Sequence, residues 1–275
     1  MTTRNARPPA SPNWTPAFAG EEEALAGKLC FPNRSGVTVA CWAGPSMLNP
    51  DEWTIILLSL KVGAVAMVVT LPIAFALAWL LARARFPGKL LVDALVHLPL
   101  VVPPVVTGWL LLIAFGPRGP IGGWLMDWFG VSVLFRWTGA AIAAGVMALP
   151  LMVRAMRLSI EAVDRRLEGA ARTLGAGPGR VFWTITLPLS VPGVLAGAVL
   201  GFARSIGEFG ATITFVSNVP GQTQTLPLAI YSALQQPDGD AMVWRLSAIS
   251  VALSLAALVA SELLARRAGR GLHVL

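Results

Sequence analysis

Residues 62–82 form a run of 21 side chains without a charge. At a rise of about 1.5 Å per residue, a helix of this length crosses the roughly 30 Å hydrocarbon layer of a bilayer. Lipid offers the backbone no hydrogen bonds, so a run like this crosses as a helix. Because 55% of the chain is hydrophobic and only 13% is charged, the run belongs to a largely apolar protein. We therefore predict a polytopic membrane protein.

Further apolar runs follow, and together they predict an all-α transmembrane bundle of about five spans, with six as the alternative. The spans after the first are expected at about 90–115, at about 137–158, through the glycine-rich stretch 193–205, and at about 242–264. Segment 211–243 is too polar and too broken to span the bilayer, so we expect an outer gate and loop there.

The second span carries a double proline, Pro103-Pro104. Each proline removes a backbone donor, and such breaks are tolerated in lipid only where protein or a water-filled cavity covers them. This helix is therefore expected to face a pathway or the bundle interior. A kink needed only for packing is the alternative.

Basic residues predict the orientation, because lysine and arginine are enriched on the cytoplasmic side. Placing 83–89, 154–187 and the C-terminus on one side collects twelve of them there: Arg83, Arg85, Lys89, Arg154, Arg157, Arg165, Arg166, Arg172, Arg180, Arg266, Arg267 and Arg270. The opposite side, beyond Met47, holds four: Lys61, Arg118, Arg136 and Arg245. The prediction is an N-terminus outside and a C-terminus in the cytoplasm.

Residues 1–46 differ in composition from the rest, being rich in proline, glycine, serine and threonine. They lack the charged start, apolar core and cleavage site of a signal peptide. We predict a disordered or non-native extension, with the transmembrane domain at 47–275 and a natural start at Met47.

Small and charged residues inside the spans leave several alternatives open. The stripe Gly193, Gly197, Gly201 and Ser205 predicts close helix packing, either in a dimer or within the chain. Asp93 and His97, one turn apart, favour a structural pair over a proton or ligand site. Arg204 and Glu208 are equally compatible with a translocation pathway and with an interfacial ion pair. These four-residue spacings set neighbours on one helix face.

Between the third and fourth spans lies a polar segment at 167–188. Its apolar residues Leu167, Ala170, Ala171 and Leu174 recur at helical spacing, and Glu168 stands four residues before Arg172 as an expected supporting pair. Gly175 predicts a helix end, and a second helical start is expected to lead through Ile185 and Leu187 to Pro188. The pattern indicates two short surface helices whose small residues allow another protein to approach the backbone.

Several activities are excluded by the sequence. It contains no phosphate-binding G-x-x-x-x-G-K-[ST] loop, no Ser-His-Asp set and no metal-ligand cluster, so we expect neither catalysis nor a cofactor. Its two cysteines, Cys30 and Cys41, both precede the spans. The net charge of +7 is scattered at span ends without a base-reading pattern, which argues against nucleic acid. Energy for any transport must come from a partner.

The segment resembles the "EAA" loop of binding-protein-dependent ABC importer permeases. The likeness rests on Ala170-Ala171, then Gly175 after three residues, then Ile185-x-Leu187-Pro188 after nine more. The family motif begins with glutamate, whereas this chain has Gly169 there and Glu168 one residue earlier. Stretches 97–104, 202–212 and 215–218 are similar to the molybdate branch of the family.

This resemblance implies a type I importer fold and a bacterial inner-membrane permease that imports molybdate by alternating access. The implied partners are a dimer of cytoplasmic ABC ATPase subunits, an extracytoplasmic molybdate-binding protein, a second copy of the chain and the lipid bilayer. It also implies that a coupling loop, about 159–188, docks on the ATPase through Glu168, Gly169, Ala170, Ala171, Leu174, Gly175, Ile185, Leu187 and Pro188.

Three kinds of residue are expected at the pathway or gate: the prolines of the helix break, the charged pair, and neutral hydroxyls, which hydrate an oxyanion weakly. They are Pro103, Pro104, Thr107, Arg204, Ser205, Glu208, Thr212 and Thr214. A sulfate, thiosulfate or tungstate permease of the same family remains an alternative, as does a non-transporting membrane scaffold.

Overall fold

The computed structural model describes residues 29–31, 40–42, 49–237 and 239–272. The chain divides into two compact units, Met1–Met47 and Leu48–Leu275. In the first unit, β1 (Leu29–Phe31) pairs with β2 (Ala40–Trp42) in antiparallel fashion. The remainder of the 1–46 extension lies outside the described residues, and its disorder or non-native origin stays a prediction.

The described part of the second unit is helical. Its elements are α1 (Pro50–Arg83), α2 (Lys89–Val101), α3 (Pro104–Phe115), α4 (Pro120–Phe129), α5 (Trp137–Ala162), α6 (Arg165–Thr173), α7 (Pro178–Val181), a π-helical turn (Phe182–Thr186), α8 (Leu187–Ile206), α9 (Gly210–Val216), α10 (Leu226–Ala233) and α11 (Asp240–Leu272). The predicted all-α bundle is confirmed.

Four stretches in the described residues are long and apolar enough to cross a membrane: Pro50–Arg83, Trp137–Ala162, Pro178–Ile206 and Asp240–Ala260. The pair α2 and α3 would supply a fifth span, but its two halves are bent by 117°. The predicted number of about five spans therefore agrees with the structure.

The sharp bend between α2 and α3 lies at Val102 and Pro103, which have extended backbone conformations. A proline at each of two successive positions leaves the backbone there without N–H donors, so a continuous helix cannot pass through. Val96 of α2 belongs to the same buried cluster as Leu81 of α1, whereas Leu111 of α3 belongs to the cluster that contains Val62. Helices α2 and α3 together therefore run from the later part of α1 to its earlier part. They do so as two helices at an angle, whereas we expected a single interrupted span.

The centre of the bundle is α5, which packs parallel to α1 and antiparallel to α8. Small residues make these approaches possible: a Cβ on Gly145 would lie 2.5 Å from the Thr70 hydroxyl. Along α8, a Cβ on Gly193 would meet Ser159, and one on Gly201 would meet Met152. The glycine stripe of α8 is therefore a packing seam within the chain, one of the two predicted alternatives.

The end of the bundle at the start of α1, here called the Asn49 end, is closed by the short helices α9 and α10. Ile55 of α1, Leu226 of α10 and Leu246 of α11 belong to one buried cluster. The Ser59 hydroxyl accepts a hydrogen bond from the Leu226 backbone N–H at 2.7 Å. At 7 and 8 residues, both helices are too short to cross a bilayer, as predicted for segment 211–243.

Candidate coupling loop and pathway region

The coupling loop projects from the opposite end of the bundle, here called the Arg83 end. Its first helix, α6, begins at Asp164, whose carboxylate accepts a hydrogen bond from the Arg166 backbone N–H at 2.8 Å and so caps the helix. All 9 residues of α6 are at least partly exposed. Leu174, which follows it, is 89% exposed. Leu167 of α6 is also exposed, at 51%, so the loop presents two apolar side chains to solvent.

The bend after α6 depends on Gly175, whose φ of +86° is a conformation that other residues adopt only with strain. The Ala176 N–H then donates to the Ala171 carbonyl at 3.0 Å. A Cβ built on Gly169, Gly175, Gly177 or Gly179 would meet no atom of the described chain within 4 Å. The predicted bare surface is thus present, and a partner can reach the backbone there.

Glu168 behaves differently from the rest of the predicted docking set. Its Oε1 lies 2.7 Å from Arg83 Nη2 in an ion pair and accepts a hydrogen bond from the Thr186 hydroxyl, also at 2.7 Å. The side chains of Arg83 and Glu168 are each only 13% exposed. The expected pair between Glu168 and Arg172 was wrong for the described residues, because Arg83 reaches the carboxylate from α1.

The second arm of the loop has the predicted helical start, but its helix continues past Pro188. A continuous helix begins at Pro178 and passes through the π-helical turn into α8. Ile185 and Leu187 are half-buried, and Pro188 is exposed. Ala171 is half-buried, while Gly169, Ala170 and Gly175 are exposed.

Sequence reasoning missed the aromatic contacts that hold the π-helical turn. The Phe182 ring lies edge-on to Phe75 at 6.1 Å and to Trp79 at 6.2 Å between ring centroids, and both partners belong to α1. Edge-to-face pairs at this distance contribute beyond the area that they bury. Phe75 and Trp79 are four residues apart, which is the only sequence signal that pointed to a shared face.

At the Asn49 end, the structure brings several predicted pathway residues together where α3 meets α9. A Cβ on Gly108 would lie 2.6 Å from the Ala211 carbonyl, and one on Gly210 would lie 2.7 Å from Pro104. Pro103 and Pro104 are exposed, and Thr107 is buried at 7% exposure. The helix break is therefore adjacent to the start of α9.

Arg204 and Glu208 flank the break between α8 and α9. Arg204 Nη1 lies 2.8 Å from Glu208 Oε2, and Glu208 Oε1 accepts a hydrogen bond from the Ala211 N–H at 2.9 Å. The Glu208 side chain is 1% exposed, and that of Arg204 is 29% exposed. The carboxylate is thus engaged in a structural ion pair, while the guanidinium keeps an open side.

Two of the predicted pathway hydroxyls, those of Ser205 and Thr214, are satisfied locally in this conformation. Ser205 donates to the Gly201 carbonyl and Thr214 to the Gly210 carbonyl, four residues back in each case. Ser205 and Thr212 are buried, whereas Thr214 is half-buried. The buried hydroxyls of Ser205 and Thr212 therefore have little access to solvent in this conformation.

Asp93 joins α2 to α5 at the Arg83 end. Its carboxylate lies 3.0 Å from Arg157 Nη1 and 3.5 Å from His97 Nδ1. Arg157 also pairs with Glu161 at 2.8 Å. The described residues contain no group of His, Cys, Asp or Glu able to hold a metal ion, and the geometry of Asp93 and His97 fits the favoured structural interpretation.

Solved structures that share this architecture include chains of ABC transporters. A chain of a bacterial ABC transporter that imports the acidic polysaccharide alginate matches 81% of this chain and 80% of its own length, with a TM-score of 0.62 and 18% identity. A chain of the inward-facing MetNI methionine ABC transporter matches with the same TM-score and identity, over 81% and 99%. The fold is that of a type I ABC importer permease.

Residues 52–270 match the model of the binding-protein-dependent transport system inner membrane component family, and the chain belongs to that family. It is a multi-pass inner-membrane protein and a transport component. It is 58% identical over 228 residues to the Escherichia coli (strain K12) molybdenum transport system permease protein ModB, covering 82% of this chain and 100% of that protein. The Haemophilus influenzae protein of the same name is 57% identical over 216 residues, with 78% and 94% covered.

Proposed function

We propose that this chain is the membrane-spanning subunit of an ATP-driven importer that moves molybdate into the cell. The observation that carries the proposal is the identity of 58% to a molybdenum transport permease along that protein's whole length. Because the sequence has no phosphate-binding loop, ATP hydrolysis is assigned to a separate ABC ATPase subunit.

The coupling loop supports the docking part of this proposal. Gly169, Ala170, Leu174 and Gly175 present exposed small or apolar groups on one projection, and the described chain leaves free space beside its glycines. A helix with this surface fits a groove on another protein. Ala171, Ile185, Leu187 and Pro188 border that surface and complete the proposed contact.

The proposed assembly contains two copies of this chain, two ATPase subunits and an extracytoplasmic binding protein that delivers molybdate. The excess of basic residues at the Arg83 end supports a cytoplasmic location for the coupling loop and the C-terminus. The Asn49 end, with α9 and α10, then faces the binding protein.

Transport in this proposal follows from rigid-body motion. ATP binding draws the two ATPases and their docked loops together, and the bundles rock open toward the binding protein. The joint of α3, α8 and α9 is the proposed gate, where Thr107, Ser205, Thr212 and Thr214 supply neutral hydroxyls beside Pro103 and Pro104. Arg204 contributes positive potential for an oxyanion, while Glu208 holds Arg204 in place.

Sulfate is the second candidate substrate. The Escherichia coli (strain K12) sulfate transport system permease protein CysT is 37% identical over 194 residues, with 70% of this chain and 69% of that protein covered. Its lower identity makes molybdate the favoured substrate.

Uptake of radiolabelled molybdate and sulfate separates these functions. The chain is expressed with its ATPase and binding protein in cells that lack their own molybdate and sulfate systems. We expect molybdate accumulation that disappears when the ATPase is deleted. Accumulation of sulfate alone would identify the sulfate permease, and absence of both would favour a membrane scaffold. Molybdate uptake that continues without the ATPase would overturn the ABC mechanism.

A further inference from the structure

The coupling loop is tied to α1 at one nearly buried point. Nη2 of Arg83, the last residue of α1, forms an ion pair with Glu168 Oε1 of α6 at 2.7 Å and donates a hydrogen bond to the Ile160 carbonyl of α5 at 3.2 Å. Glu168 in turn accepts a bond from Thr186, the last residue of the π-helical turn. Three side chains thus connect α1, α5, α6 and the start of α8.

A second, apolar contact holds the same elements together. Phe182, at the start of the π-helical turn, packs edge-on against Phe75 and Trp79 of α1. The turn is therefore attached to α1 at both its ends, by aromatic rings at Phe182 and by the Glu168 carboxylate at Thr186. A π-helical turn is a local widening that occurs often at functional sites.

The outer and inner faces of the coupling loop present different kinds of side chain. Leu174 is 89% exposed on the outer surface, while the Glu168 carboxylate is turned inward to Arg83 and Thr186. Both contacts of the carboxylate fall on Oε1, and only 13% of the side chain is exposed, so the group faces the chain itself rather than the outer surface. An ion pair at this distance is strong when solvent is excluded.

We propose that Arg83, Glu168 and Thr186 form a coupling latch, which makes the docking surface move as one body with the end of α1. In this assignment, which rests on the proposed function, Glu168 is a positioning residue. It transmits the motion of the ATPase to the bundle and does not itself bind the ATPase.

Arg83 has a further hydrogen-bond donor that could contact Glu168. The Nε atom of Arg83 is buried and makes no hydrogen bond to the described residues. A guanidinium offers a fork that can bond both oxygens of a carboxylate. Such a two-bond geometry with Glu168 would also satisfy the Nε donor.

The test uses the transporter reconstituted in liposomes with its ATPase and binding protein. Glu168→Gln is expected to leave ATPase co-purification and ATP hydrolysis intact, and to lower molybdate transported per ATP by about tenfold. The charge-swapped pair Arg83→Glu with Glu168→Arg is expected to recover part of that coupling. Glu161→Gln, a carboxylate that pairs with Arg157 on α5, is the matched control and should transport normally.

Loss of ATPase co-purification in Glu168→Gln, without recovery in the swapped pair, would place the carboxylate at the ATPase interface and overturn the latch. Unchanged transport per ATP in Glu168→Gln would also overturn it.

A spin-label measurement separates failure of the latch from failure of the proposed function. Labels are attached through Ala76→Cys and Arg172→Cys, in a background with Cys30→Ser and Cys41→Ser. We expect a narrow distance distribution with Glu168 present and a broad one in Glu168→Gln, whatever the substrate. Equal distributions would reject the latch even if molybdate is transported. The latch would be retained and the substrate rejected if the distribution is narrow in the unmutated chain and broad in Glu168→Gln, yet the unmutated chain transports no molybdate.

Discussion

Glu52 is a charged residue buried in the first turn of a spanning helix, with 1% of its surface exposed. Its Oε1 accepts hydrogen bonds from Arg245 Nε at 3.0 Å and Nη2 at 2.6 Å, and its Oε2 accepts from the Asn49 N–H at 3.1 Å. A buried charge persists only when it is paired and hydrogen-bonded. This pair therefore fixes the start of α11 against the start of α1.

Removing one partner of the buried pair Glu52 and Arg245 should show how much the pair stabilises the bundle. In Arg245→Met the Glu52 carboxylate stays buried without its cation, which should lower the free energy of unfolding by about 3 kcal/mol. The double variant Glu52→Gln with Arg245→Met should be more stable than Arg245→Met alone. Thermal unfolding in detergent measures both, and Arg118→Met, at an exposed site, is the control. Equal midpoints for Arg245→Met and Arg118→Met would show that the pair does not stabilise the bundle.

Residue partners were predictable from sequence only where one helix brings them together. The spacing of Arg204 and Glu208 allowed an ion pair, and one is present. The same rule assigned Glu168 to Arg172, yet Arg83 lies 85 positions away in sequence and is the residue that contacts it. Glu52 and Arg245 are 193 positions apart, so no local spacing could pair them.

At the scale of elements, the joint between α3 and α9 has no room for an added methyl group. A Cβ on Gly108 would lie 2.6 Å from the Ala211 carbonyl and 2.9 Å from its Cα. Both are backbone atoms, which cannot rotate away as a side chain can. The close approach of these two helices therefore depends on glycine at this position.

Gly108→Ala should force α3 and α9 apart and destabilise the bundle by about 1–3 kcal/mol. Gly123→Ala on α4 is the matched control, since its Cβ would meet only the Pro117 carbonyl, at 3.6 Å. That change should be neutral or stabilising, because alanine favours the helix by up to about 1 kcal/mol. Unfolding midpoints compare the two variants, and a Gly108→Ala midpoint as high as that of Gly123→Ala would contradict the packing.

The spanning helices were predictable, because the length of an apolar run and its lack of charge determine whether it can cross the membrane. The bend of 117° between α2 and α3 was not, since two prolines show where a helix breaks but not the direction it takes. That direction is set by packing of Val96 and Leu111 in different clusters. The π-helical turn was likewise hidden, because its widening comes from contacts with α1 rather than from its own residues.

At the scale of the whole molecule, the proposed function assigns different roles to the two ends of the described bundle. The Asn49 end holds the joint of α3, α8 and α9, and the Arg83 end carries the exposed coupling loop. Between them, α5 packs against α1 and α8 through small residues, which makes the centre a rigid body. Motion applied to the loop can therefore reach the joint through α1, α5 and α8 without a local rearrangement of the core.

ATP-driven accumulation of molybdate in liposomes, measured for the unmutated chain and for Gly175→Asp, tests this account most directly. The liposomes contain the chain with its ATPase, and the binding protein is present on the opposite side of the membrane. The account predicts accumulation that requires ATP and is lost in Gly175→Asp together with ATPase co-purification, because a side chain strains the bend of the coupling loop and puts charge on its docking surface. Accumulation without ATP, or normal accumulation in Gly175→Asp, would contradict it.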